Sequence, residues 1–360
     1  MPLQKIRVLI IDDSPLIRGM LETALRMHPQ IEVVGTAVDG IDALAKLATL
    51  NPDVATLDVE MPRLNGIGVL ERSAGKVQTS FIMVSTLTQS GARITFEALQ
   101  KGAFDYITKP TPGQMKQLDH FRARLHDRVL AAANNKGQAR KLVFAGSSSA
   151  PTLPPNRERG WVVCIGISCG GPQTLHKVLP AFPSDFVPIL ITQHMPSAFT
   201  ATFARHLDAD CAMNVREAVQ GEPLQAGSIL IAPGSHHLKV GRRGAELIAE
   251  LDEGPKVSGH RPSADVLFDS AAKICGPRCI GVIMTGMGND GANGIVRLRH
   301  SGAWTIAQDS DTSLVFGMPK AAIETGCIDH IVPLEKIPQA IARLMAGGAK
   351  KTASLAGAAR

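Results

Sequence analysis

No apolar run in the 360-residue sequence is long enough to cross a membrane. The short N-terminal stretch "RVLIIDD" ends on two aspartates and has no small-residue cleavage site after it. It is therefore expected to be a buried strand, not a secretion signal, and the cytoplasm is the expected compartment. The six cysteines, Cys164, Cys169, Cys211, Cys275, Cys279 and Cys327, form no C-x-x-C pair. Cys275 and Cys279 are spaced for one helical face, but no second ligand pair accompanies them. Free buried thiols in a reducing compartment are expected, not a zinc cluster or disulfides. No internal repeat is visible. The formal charge of +6 has no counterpart in a basic domain. Residues 113–160 hold nine Lys/Arg against three Asp/Glu, which accounts for the whole excess. A basic connector is a solvated segment, whereas a nucleic-acid reader places its charge on a folded face, so no nucleic-acid partner is expected.

What is present is apolar material for two cores, at 44% hydrophobic residues. The strand candidates "RVLIIDD", "EVVGTAV", "DVATLDV", "SFIMVST" and "DYITKP" alternate with helical patterns such as "PLIRGMLETALRM" and "GIDALAKLA". Strict β/α alternation predicts an α/β domain with a parallel sheet. "QLDHFRARLHDRVLAAA" fits one helix, and the Gly/Ser/Pro-rich stretch after it reads as a linker. Alternation restarts at Trp161 with "VVCIGI", "VPILITQ", "SILIAP", "CIGVIMTG", "AWTIAQ" and "HIVPL", mostly continuous apolar runs suited to strands covered on both faces. "LKVGRRGAELIAEL" reads as an inserted hairpin. The expected organisation is a domain over 1–125, a basic linker over 126–159, a larger domain over 160–345 and a disordered tail over 346–360.

In a parallel α/β sheet the carboxyl ends of the strands form one edge, where ligands bind. Asp12 and Asp13 end the first strand, Asp58 ends the third, Ser85 follows the fourth and Lys109 the fifth. Clustered carboxylates repel one another and call for a cation, and an all-oxygen, partly open site suits Mg²⁺ better than zinc. A carboxylate beside Mg²⁺ can attack a phosphoryl group while the metal and a lysine neutralise the developing charge. Any one aspartate after a strand is also an ordinary turn or cap residue; the ordered set of five positions is the informative signal.

In the second half, "GISCG" places Ser168 at a strand-to-helix turn and formally matches G-x-S-x-G. Alone, it is equally a nucleophile, a phosphate cradle or a residue that fits a bend. His194 in "PILITQHMP" and Asp290 in "IGVIMTGMGNDGANG" end two further strands on the same edge. Ser, His and Asp together are what acyl transfer needs, and the glycines around Met287 let backbone N–H groups approach an oxyanion. The chain order Ser…His…Asp differs from the Ser…Asp…His order of α/β-hydrolases. His236 and His237 lack an acidic or cysteine partner at ligand spacing. His260 and Arg261 are expected to shape the cleft mouth or cap the next helix.

Two resemblances follow from these motifs. "VLIIDDSPLIR", "LDVEMPRLNG", "MVSTLT" and "GAFDYITKP" resemble a response-regulator receiver domain. That implies a flavodoxin-like fold, with Asp58 phosphorylated by a histidine kinase. It also implies Mg²⁺ held by Asp13, Asp58 and the Glu60 carbonyl with Asp12 assisting, a Ser85/Tyr106 switch pair, and Lys109 at the phosphate. "IGISCGGPQTL", "ITQHMPSAFT", "IAPGSHHL", "HRPSADVLFDSAA", "VIMTGMGNDGANG" and "WTIAQDSDTSLVFGMPKAAIETG" resemble the catalytic domain of the chemotaxis methylesterases. That implies a second doubly wound, Rossmann-like sheet and a protein-glutamate methylesterase that also deamidates glutamines on chemoreceptors. Ser168 would be the nucleophile, His194 the base, Asp290 the orienting acid, and the Met287 amide part of the oxyanion hole. No cofactor is implied for the esterase step. Phosphorylation would relieve obstruction of the active site by the receiver. The family usually has threonine after the nucleophile; Cys169 stands there here. A non-catalytic adaptor and a receiver-linked transcription factor are the two other classes. The intact Ser, His and Asp disfavour the first, and the absence of a helix-turn-helix pattern disfavours the second.

Overall fold

The computed structural model describes residues 5–86, 88–110, 118–135 and 160–347. The chain divides into two units, Met1–Ser148 and Ser149–Arg360. The first contains β1 (Ile6–Ile11), β2 (Ile31–Ala37), β3 (Val54–Asp58), β4 (Ser80–Ser85) and β5 (Asp105–Thr108), all parallel, in the order β2-β1-β3-β4-β5. The connecting helices are α1 (Pro15–Arg26), α2 (Gly40–Leu50), α3 (Gly66–Ser73) and α4 (Gln89–Gln100), with α5 (Leu118–Asn134) after β5. Each of the first four starts on a side chain that accepts a backbone N–H: Ser14, Asp39, Asn65 and Thr88. Because β1 has β2 on one side and β3 on the other, the chain reverses direction there. The loops after β1 and β3 therefore flank the crevice where ligands bind.

The boundary expected at residue 125 falls inside α5. Phe121, Leu125, Val129 and Ala132 recur at helical spacing and are buried, so the apolar stripe continues to the helix end. Residues 126–134 are thus helix, not linker. The rest of the expected linker, apart from Asn135, and nearly all of the expected tail lie outside the described residues.

The second unit is built on seven parallel strands in the order β14-β13-β12-β6-β7-β9-β8. These are β6 (Val162–Ile167), β7 (Ile189–Gln193), β8 (Asn214–Glu217), β9 (Ser228–Ile231), β12 (Cys279–Ile283), β13 (Trp304–Gln308) and β14 (His330–Val332). The hairpin expected in "LKVGRRGAELIAEL" is present as antiparallel β10 (His237–Arg243) and β11 (Glu246–Asp252). Helices α6 (Gly171–Val178), α7 (Ser197–Asp208), α8 (Ala264–Ile274), α9 (Ala292–His300), α10 (Met318–Glu324) and α11 (Ile337–Ala346) complete the unit. Strand β8 escapes a sequence reading because "NVRE" offers a single apolar residue, Val215.

The chain starts at the centre of this sheet with β6, builds β7 to β9 on one side, then returns to add β12 to β14 on the other. The ends of β6, β7 and β12 are therefore neighbours. Helix α8 lies close over β6 and α9. A Cβ at Gly166 would come within 2.7 Å of Ala264 Cβ, and one at Gly294 within 2.6 Å of Phe268 Cβ. Gly294→Ala is expected to destabilise the protein by about 1–3 kcal/mol, because Phe268 is fully buried and the overlap involves its Cβ, which cannot swing aside. Urea unfolding measures this, and an unchanged midpoint would show that the two helices can separate freely.

Candidate active site

The loops after β6, β7 and β12 bring the expected residues to one edge. Ser168 follows β6 directly; its N–H donates to Thr285 O (3.0 Å), and its carbonyl accepts from Gly171 N (2.9 Å). His194 follows β7, and its N–H reaches back to Ile167 O (3.2 Å). Asp290 follows β12 and is 1% exposed. His194 Nε2 donates to Asp290 Oδ2 at 2.7 Å. The other ring nitrogen, Nδ1, is buried with no hydrogen-bond partner among the described residues.

Asp290 is held by more than the imidazole. Ser263 Oγ donates to Oδ1 (2.6 Å), Ala264 N to Oδ2 (2.7 Å) and Asp265 N to Oδ1 (3.2 Å). These donors come from the start of α8, where unsatisfied amides favour an anion. Burial alone would raise the pKa of Asp290, but the bonds from His194, Ser263 and Ala264 outweigh it and hold the carboxyl below its ordinary range. Asp265, one turn into the same network, goes the other way. Burial and the Asp290 charge raise it against the stabilising bond from Gly294 N.

The glycine loop lies against the serine. A Cβ at Gly286 would be 2.9 Å from Ser168 Cβ, and one at Gly317 would be 3.2 Å from Met287 Cα. Met287 thus sits in a loop whose backbone only glycines permit to approach Ser168 so closely. Cys169 is 4% exposed, and its carbonyl accepts from Thr285 Oγ1 (2.9 Å), which in turn accepts from Val315 N (2.9 Å).

The contacts of four further residues escaped the sequence. The His260 ring stacks on the His194 ring, centroids 3.7 Å apart and planes 5° from parallel. His260 was expected only at the cleft mouth, and it reaches His194 through a turn closed by paired bonds between Val257 and His260. Arg261 donates to the carbonyls of Glu253 and Gly254 (2.6 and 2.9 Å), tying that loop down. His236, expected to have no acidic partner, bonds Glu253 at 3.0 Å, which only the folded hairpin brings close. His237 is buried between Pro255 O and Ser263 N.

In the first unit Asp12, Asp13 and Asp58 place carboxylate oxygens within 4.8 Å of one another. Lys109 Nζ bridges Asp12 (2.9 Å) and Asp58 (2.8 Å). A polar cavity of about 290 Å³ is lined by Asp13, Asp58, Glu60, Thr86 and Lys109. This oxygen-rich set fits Mg²⁺, with Asp13, Asp58 and Glu60 as the residues that would hold it. Ser85 and Tyr106 are buried on adjacent strands, β4 and β5. Tyr106 O accepts from Arg128 Nε (2.8 Å). Among the thiols, burial raises Cys211 to about 12 and moves Cys275 upward as well, which suits inert thiols.

An open parallel sheet with a Ser, a His–Asp pair and a glycine loop at one edge, preceded by a sheet with an acidic edge, defines a hydrolase domain behind a receiver domain. The comparisons with known proteins agree. Residues 163–341 match the CheB methylesterase family, and residues 8–119 match the response regulator receiver domain. The chain is 42% identical over 349 residues to a protein-glutamate methylesterase/protein-glutamine glutaminase of Pyrococcus abyssi, covering 95% of each chain. It is 44% identical over 350 residues to one from Bradyrhizobium diazoefficiens, covering 95% of this chain and 96% of that one. The crystal structure of the Thermotoga maritima CheB methylesterase catalytic domain superposes with a TM-score of 0.51 at 40% identity, covering 52% of this chain and all of that one. The chain belongs to the protein-glutamate methylesterase/protein-glutamine glutaminase family and is an enzyme of that class.

Asp58 supplies a prediction. Burial, with Asp12 adding to it against the bond from Lys109, pushes its pKa from 3.8 up to about 6. A raised carboxyl pKa favours the protonated form in the folded state, so stability is lost as pH climbs through that range. In Mg²⁺-free buffer at about pH 8, Asp58→Asn is expected to unfold at a higher temperature than the native protein. The gap should shrink on acidification, and Mg²⁺ should close it by stabilising only the native chain. A lower unfolding temperature for Asp58→Asn would contradict the buried-charge account.

Proposed function

We propose that Ser168, His194 and Asp290 form the catalytic triad of a phosphorylation-regulated methylesterase acting on chemoreceptors in the cytoplasm. The observation that carries this reading is the 2.7 Å bond from His194 Nε2 to a buried, ionised Asp290. It fixes the proton on Nε2 and leaves the lone pair of Nδ1 as the base. Ser168 Oγ attacks the γ-carbonyl carbon of a methylated receptor glutamate and passes its proton to His194 Nδ1. The oxyanion leans on the loop amides at Met287. The imidazolium, steadied by Asp290, protonates the departing methoxide, which leaves as methanol, and water then cleaves the acyl-enzyme by the same route. With a glutamine substrate, ammonia leaves in place of methanol.

Regulation is proposed to act through Asp58. A histidine kinase supplies the phosphoryl group, Asp12, Asp13 and Glu60 help to hold Mg²⁺, and Lys109 contacts the phosphate. Ser85 and Tyr106 then rearrange, and that change raises the activity of the second unit. The Lys109 bridge between Asp12 and Asp58 supports this, since a phosphoryl group at Asp58 would compete for that ammonium.

Methanol release from methylated receptor tests both parts. Ser168→Ala is expected to lose at least about 10⁴-fold in kcat, and Asp290→Asn about 10⁴-fold through loss of the correct tautomer. Native-level turnover by Ser168→Ala would remove the nucleophile and with it the mechanism. A phosphodonor should accelerate the native enzyme and leave Asp58→Asn unchanged; equal acceleration of both would move regulation away from Asp58.

A further inference from the structure

Resting on the triad just proposed, we infer that Gln193 is a positioning residue that holds the nucleophile and the base in register through a single amide group. Gln193 is the last residue of β7, paired with Ile167 at the end of β6, and is 2% exposed. Its Nε2 donates to Ser168 O at 2.9 Å and to His194 O at 3.3 Å. Both hydrogens of one NH₂ group are thus spent on the carbonyls of two residues on neighbouring strands, just beyond the point where the β6–β7 ladder ends.

Backbone geometry explains why this matters. The peptide plane before each residue is already fixed: Ser168 N donates to Thr285 O and His194 N to Ile167 O. The plane after each residue carries its carbonyl, and Gln193 binds both of those carbonyls. For His194 that bond complements the one backbone anchor on its other side; for Ser168 it joins the bond from Gly171 N. With planes fixed on both sides, φ and ψ are set, and so is the direction in which each side chain leaves the backbone. The aim of Oγ at Nδ1 depends on that direction.

The site carries marks of a cost accepted for this arrangement. Gln193 Oε1 is buried without a hydrogen-bond partner among the described residues. Space for it is kept by Gly171, where any Cβ would overlap Oε1. A merely structural filler would be apolar and would leave no orphaned acceptor. Met has nearly the same shape as Gln and lacks the donor, so shape and hydrogen bonding can be separated.

The test measures methanol release by the full-length protein from methylated receptor. Gln193→Met is expected to lower kcat about 10- to 100-fold with KM changed by less than about 2-fold, since misaimed groups slow chemistry without altering substrate contacts. Gln193→Glu replaces the donor by a carboxyl that bonds a carbonyl only when protonated. Its activity should fall with rising pH on an alkaline limb that the native enzyme and Gln193→Met both lack. Native kcat in Gln193→Met, or a loss confined to KM, would overturn the inference. If Gln193→Met fails to fold, the Gln193→Glu profile decides, and a profile without the limb overturns it. Ser168→Ala in the same assay separates the two levels. Turnover persisting there overturns the triad itself, whereas an inactive Ser168→Ala beside a fully active Gln193→Met overturns only the role of Gln193.

Discussion

Asp290 is 1% exposed, yet four donors converge on its two oxygens: His194 Nε2, Ser263 Oγ and the backbone amides of Ala264 and Asp265. An isolated buried carboxylate would take up a proton instead of staying charged. Keeping it ionised is what keeps the imidazole in one tautomer. Three of the donors belong to the start of α8, so the position of that helix becomes a condition for the His194–Asp290 bond. The close approaches at Gly166 and Gly294 fix α8 against β6 and α9. Packing in the middle of the domain and proton placement at its edge are thus one problem.

The two units use the same edge of the same kind of sheet for opposite electrostatics. In the receiver, carboxylates crowd together and Asp58 is raised to about 6, a state relieved by Lys109 and suited to a divalent cation. In the esterase domain one carboxylate is surrounded by donors and lowered. The backbone architecture supplies convergence in both cases. Whether the converging carboxyl is pushed up or held down in pKa is decided by its neighbours.

The strands carrying the sites were legible because they are continuous apolar runs ended by Asp12, Asp58, Ser168 or His194 at abrupt changes in polarity. Asp290 was legible because "GNDG" follows such a run. The partners of these residues were not. Ser263 and Gln193 act through groups whose direction depends on where α8 and β7 lie, and neither has a local periodicity that announces it. The stack of His260 on His194 requires a tight turn at 257–260 that hydropathy does not register. The end of the first unit was misplaced because α5 crosses into a basic stretch whose charge suggests linker, while its buried stripe lies on the other face. Edge strand β8 was missed because a half-exposed strand of four residues carries almost no signal.

The order of strands in the larger sheet has a consequence for biosynthesis. The ribosome releases Ser168 and His194 long before Asp290, which lies 96 residues beyond His194. Strand β12 must insert beside β6 before the His194–Asp290 bond can form. A chain that ends before β12 has the serine, the imidazole and the donors at the start of α8 but lacks Asp290, on which those donors converge. Closing this edge of the sheet is thus a late, long-range event in the assembly of the unit, of the kind that is slow compared with local helix and hairpin formation.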